Sequence, residues 1–196
     1  MITFVEVHRR LLLGGILAVM FGLSVLTMVG DSATVDEVAH ISAGYSYVAF
    51  HQLRLNPEHP PLIKDLAGLP LLFMHVRYPT DSPAWTTEVN GQYETGRAFI
   101  YRSGNNADRL IFAARVPMLL LSLFFGLILY LVVSKHYGIV AGLLALILYA
   151  LDPNFLAHNH LVTTDVGIGF ATFVALTSLV RFLNLPTAGK IGRAHV

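Results

Sequence analysis

The chain has 196 residues, 55% of them hydrophobic and 13% charged, with a formal net charge of +1. That balance places it among polytopic membrane proteins and excludes a strongly basic nucleic-acid binder. The sequence contains no cysteine, so disulfides and thiolate metal sites are excluded as well.

In chain order, the first predicted element is the uncharged apolar run 11–30. At about 1.5 Å per residue it is long enough to cross roughly 30 Å of hydrocarbon. It is long for the apolar region of a signal peptide, and further spans follow, so we read it as an uncleaved helix. The segment 31–115 comes next. Within it, Val38, Ile41, Tyr45, Val48 and Phe50 recur near helical spacing, predicting a helix from Asp36 to Leu53. Thr34 is its predicted N-cap, and Glu37 three residues later completes a capping box. Asn56-Pro57-Glu58-His59-Pro60-Pro61 must break that helix. Leu62 to Val76 is apolar with Lys64, Asp65 and His75 interspersed, which suits a helix lying in the membrane interface. The stretch 79–108 is polar and turn-rich, with Trp85, Tyr93 and Tyr101 as interfacial anchors. Three further spans are predicted at 116–134, 138–155 and 166–183, the last two shorter than ideal. The expected fold class is therefore an all-α polytopic membrane protein with about four transmembrane helices and a long outer loop carrying interfacial helices.

Basic residues in the short connections set the expected orientation. Arg9 and Arg10 precede the first span, Lys135 lies between the second and third, and Arg181 closes the fourth. The connection 152–165 has neither Lys nor Arg. This pattern predicts a cytoplasmic N-terminus, with 31–115 and 152–165 on the outer side. Asp36-Glu37 and Asp165 then face the same way.

The end of the chain reads differently. Ile191-Gly192-Arg193-Ala194-His195-Val196 resembles the translation of a common sequencing adapter, so 190–196 is expected to be an artefact on an N-terminal gene fragment.

Adjacent acids at the mouth of a span are costly to desolvate, which makes them candidates for chemistry. Each also has a plainer reading. Asp36 and Glu37 suit the positive end of a helix, and so does Asp165. His40 lies one turn after Asp36, as a proton relay or as a satisfied polar group. Glu58 and His59 share a rigid turn and are the candidate metal ligands, without a diagnostic spacing. Lys64, five residues beyond His59, is a candidate partner for a phosphate or for the neighbours of Asp65. Two other classes fit the composition: an ion- or proton-coupled transporter module and a non-catalytic membrane subunit. The first should place ionisable groups at mid-span, where none stands here.

Taken in order, Asp36-Glu37-Val38-Ala39-His40, Gly44-Tyr45-Ser46-Tyr47 and Leu55-Asn56-Pro57-Glu58-His59-Pro60-Pro61-Leu62 form one signature. Arg115, Ala157-His158 and Leu161-Val162-Thr163-Thr164-Asp165 form a second. Together, over 10–187, they resemble the GT-C glycosyltransferases, in particular the phospholipid carrier-dependent branch related to protein O-mannosyltransferases and aminoarabinose transferases. The resemblance implies that 1–189 is the N-terminal part of a GT-C transmembrane domain, inactive alone, in a bacterial inner membrane. It implies a polyprenyl-phosphate-linked sugar as donor, an unidentified protein, lipid or glycan acceptor, and an active site on the outer face. By position, Asp36 takes the role of catalytic base and Asp165 that of second acid, with Glu37 and His40 supporting. His59, Lys64 and Arg102 would bind the donor phosphate; some relatives have Lys where His59 stands, and a His there makes phosphate binding depend on pH near neutrality. No cofactor is required by the resemblance, and a divalent metal on Glu58 and His59 is compatible with it.

Overall fold

A computed structural model describes residues 4–88 and 90–184. The expected artefact at 190–196 lies outside the described residues. Every regular element among those described is helical. In order they are α1 (Phe4–Met28), α2 (Val35–Phe50), α3 (Pro61–Gly68), α4 (Pro83–Thr86), α5 (Gln92–Arg97), α6 (Ala107–Tyr137), α7 (Ile139–Leu151), α8 (Pro153–His158) and α9 (Asp165–Asn184). A 3-10 turn over Leu69–Phe73 extends α3, and a π turn over Ala98–Arg102 extends α5.

Three helices, α1, α6 and α9, are long and apolar enough to cross a membrane. They fall on the spans expected at 11–30, 116–134 and 166–183, with α1 ending two residues short of Gly30. The span expected at 138–155 is corrected: α7 has only 13 residues, about 20 Å of helix. Asp152 ends it by turning its side chain to the amide of Phe155, capping α8 with Pro153 in the first position. The segment 31–115, expected as a long outer loop carrying helices, does carry them: α2, α3, α4 and α5 fold together there as a cap.

The 31-residue α6 joins two layers. Its first half packs Leu110, Ile111, Ala114 and Met118 against α2 and α3, through Ile41, Ala67 and Leu71. Its second half packs Tyr130 against Leu143 and Leu146 of α7, with Leu12, Leu13 and Ile16 of α1 alongside. Arg9 and Arg10 therefore lie at the same end of the bundle as Lys135. Outward-facing Leu11, Leu26, Leu120, Leu148 and Leu176 are more than half exposed, the pattern of a lipid-facing surface rather than an aqueous one.

Within the cap, α2 and α3 meet backbone to backbone. A Cβ at Gly44 would stand 2.0 Å from the Lys64 carbonyl oxygen, and one at Gly68 2.5 Å from the Gly44 carbonyl. Only glycine permits that approach. It fixes α3, and with it the 56–61 turn, directly against α2. Trp85, expected as an interfacial anchor, instead packs against Phe50 and Tyr78 beneath the Arg54 guanidinium, 4.1 Å away.

Candidate active site

The expected capping box forms. Thr34 Oγ1 accepts from the Glu37 amide, and Glu37 Oε2 accepts from the Thr34 amide at 3.0 Å. Glu37 does more than cap. It is fully buried and meets Arg115 of α6 two-pronged, from Nε at 2.8 Å and from the terminal amine at 2.7 Å. Arg115, equally buried, also donates to the carbonyls of Asp31 and Ser32. Burial by itself would raise the Glu37 pKa. The hydrogen bonds from Arg115, Thr34 and Val162 outweigh it and hold the carboxyl below its ordinary value.

The Val162 contact links the two ends of the sequence. Glu37 Oε1 accepts from the Val162 amide at 3.0 Å, and His40 Nδ1 lies 2.7 Å from the Val162 carbonyl. One residue, Val162, three positions before Asp165, is thus gripped at its N–H and its C=O by two residues of α2. A carbonyl can only accept, so the Nδ1 of His40 carries the proton and Nε2 is left as an acceptor in the neutral ring. Burial lowers the His40 pKa, and the nearby His59 and Lys64 lower it further. The His59 ring meets the His40 ring edge-on, 5.1 Å between centroids.

The turn that carries His59 is held from within by Lys64. Its ammonium is fully buried and donates toward the Asn56 carbonyl (2.6 Å), the Asn56 side-chain oxygen (3.0 Å), the His59 carbonyl (2.8 Å) and the Tyr47 hydroxyl (3.0 Å). Burial pushes its pKa down to about 8. The same hydroxyl donates to the Leu55 carbonyl. Lys64 thus faces inward, where the sequence had set it toward an anion. Gln92 ties the turn from the other side, accepting from Asn56 Nδ2 at 2.6 Å and donating to Glu58 at 2.8 Å. Glu58 and His59 stay exposed. Among the described residues no group of three or more His, Asp or Glu side chains is arranged to hold a metal, and Glu58 is engaged by Gln92.

Asp36 is exposed on the first turn of α2, close enough that its charge partly opposes the lowering of the His40 pKa. Asp165 opens α9, also exposed, and accepts from Thr163 Oγ1 at 2.9 Å. It lines a cavity of about 480 Å3 with Phe125, Tyr149, Phe155, Asp152 and His158. Arg102 lies elsewhere, ion-paired to Glu94 at 2.7 Å, beside a cavity of about 280 Å3 that Val35 and Tyr101 also line. The structure therefore gathers Asp36, Glu37, His40, His59 and the approach to Asp165 around the start of α2. Lys64 stands behind this cluster, and Arg102 is bound to Glu94. Sequence reasoning missed Gln92, which carries no charge to draw notice, and the pairing of Arg115 with Glu37, which are 78 positions apart.

Residues 105–190 match the family model of dolichyl-phosphate-mannose-protein mannosyltransferases. Neither the curated proteins nor the solved structures contain a match. The matched stretch contains Arg115, Val162 and Asp165; Asp36, Glu37, His40 and His59 precede it, and Glu37 and His40 are joined to it through Arg115 and Val162. Over its C-terminal half, the protein is similar to a family of GT-C-type membrane glycosyltransferases that use a lipid-linked sugar donor.

Proposed function

We propose that this protein transfers a sugar from a polyprenyl-phosphate donor to an acceptor hydroxyl at the outer face of a bacterial inner membrane, its N-terminus on the cytoplasmic side. The observation that carries this reading is the double grip of α2 on Val162. It ties the helix bearing Asp36 to the connection bearing Asp165, within the stretch that matches the mannosyltransferase family.

Asp36 is the general base. A direct displacement at the anomeric carbon inverts its configuration: the acceptor oxygen forms a bond to that carbon, its proton passes to the Asp36 carboxylate, and the carbon–phosphate oxygen bond breaks. Exposure suits Asp36 to an incoming hydroxyl, and such a base contributes about 10²–10⁴ in rate. Asp165 is the second acid, at the rim of a largely apolar cavity with room for the first units of a prenyl chain. His59 is the donor-phosphate ligand: its ring is exposed and its backbone is fixed by Lys64. A fixed donor aimed at the departing phosphate stabilises the charge that develops there. Lys64 acts indirectly, by holding the turn, and Arg102, paired with Glu94, stands outside the site. A divalent cation beside Glu58 and His59 would supply further charge neutralisation to the phosphate. Glu37, His40 and Arg115 hold the two acids in register.

The test is transfer of a radiolabelled sugar from a polyprenyl-phosphate donor by membranes carrying the full-length protein. Asp36→Asn should lower transfer at least 10²-fold while leaving membrane insertion intact. Undiminished transfer in that variant removes Asp36 from catalysis, and no transfer by the unaltered protein with any polyprenyl-phosphate sugar removes the reading itself.

A further inference from the structure

The far end of the bundle holds a second cavity that the proposed transfer does not use. It measures about 490 Å3 and lies between the last turns of α6 and α9. Nearer Asp165 the two helices are joined by the rings of Phe124 and Phe125 against Phe170, at 5.6 and 5.3 Å. Beyond those rings the cavity takes up the space between them. Leu131, Val132 and Val180 form its apolar walls, and Lys135, His136 and Arg181 stand at its mouth. No acidic side chain lines it. The sequence has no Asp or Glu between Asp108 and Asp152, or from Val166 to the end of α9.

Such a site is amphiphilic in one direction only. A free phosphate would leave the apolar walls unused, and an acidic peptide would have to enter hydrocarbon. A molecule with an anionic head and an acyl tail satisfies both halves at once. We propose that this cavity binds an anionic phospholipid, its phosphate held by Lys135 and Arg181 and its acyl chain lying along Leu131, Val132 and Val180. The site is independent of the transfer reaction and does not rest on that reading.

The experiment is native mass spectrometry of the purified full-length protein, released from nanodiscs containing equal parts phosphatidylglycerol and phosphatidylcholine. The unaltered protein should retain phosphatidylglycerol preferentially. The double change Lys135→Gln with Arg181→Gln should reduce that retention about tenfold or more, since each basic group near a lipid headgroup contributes severalfold in binding. Arg9→Gln with Arg10→Gln removes the same charge from the same end of the bundle but not from the cavity, and should leave retention within about twofold. Ser178→Trp fills the cavity without changing charge and should match the loss seen in the first variant. It also carries the test if the double change disturbs insertion. Equal retention of both lipids, equal loss from the Arg9/Arg10 change, or full retention in Ser178→Trp would each overturn the proposal.

Discussion

Helices α2 and α9 each present a candidate acid at their first turn, yet they are held in opposite ways. In α2 most residues are buried, among them Glu37, His40, Ser42 and Ser46, and their polar groups are met by hydrogen bonds. In α9 only Val166 is buried. One helix is fixed by directional contacts inside protein. The other is a span whose sides face the bilayer, positioned at its Asp165 end by Val162 and by Ile63 lying close to Gly167. Placing the two acids relative to each other is therefore a task for α2 and its partners, and changes on α2 should be felt at Asp165 far more than the reverse.

The sharpest way to break this comparison is Glu37→Ala. It leaves the buried Arg115 guanidinium without its carboxylate and frees Val162, and should cost about 3–5 kcal/mol. Thermal unfolding in detergent reads the loss; a melting temperature within a degree of the unaltered protein would show that α2 is not the anchor. A pH series tests the inward-facing Lys64. Its pKa in the fold, about 8, lies below the ordinary 10.5. Between these values the unfolded chain holds more protons than the folded one, so this group makes stability rise with pH across that window. The gain is on the order of 3 kcal/mol and should vanish in Lys64→Met; no difference in slope between the two proteins would place the ammonium in water. Gly44→Ala should cost about 1–3 kcal/mol by forcing α3 away from α2, and faster amide exchange over 56–60 would accompany it. Leu176→Ala, on the lipid-facing side of α9, should change stability by no more than about 0.5 kcal/mol. A larger loss there would mean that α9 is packed in protein along its length.

What could be read from the sequence divides along the same line. The capping box at Thr34 and Glu37 depends on residues three apart, and it formed as the spacing predicts. The three long apolar helices were legible because hydrocarbon thickness dictates their length. The break at Asp152-Pro153 was equally local, an N-cap followed by proline, but the apolar residues beyond it masked the signal. Nothing local distinguishes a lysine that faces an anion from one that ties a turn together. Lys64 has the charge and the position for either, and burial decided it. Glu37 and Val162 are 125 positions apart, so their meeting depends on α6 and α9 returning to the same end. Asp36 and Asp165 remain candidates on position and exposure, which transfer assays must weigh.

The short α7 has a consequence for the surrounding lipid. At about 20 Å it is roughly 10 Å shorter than the hydrocarbon layer, and it forms one wall of the cavity that Asp165 lines, through Leu148 and Tyr149. A bilayer beside such a low wall is pinched by hydrophobic mismatch, drawing its headgroups toward the midplane. In the proposed reaction, that low wall would let the donor phosphate approach Asp165 from within the membrane without its chain leaving the oil.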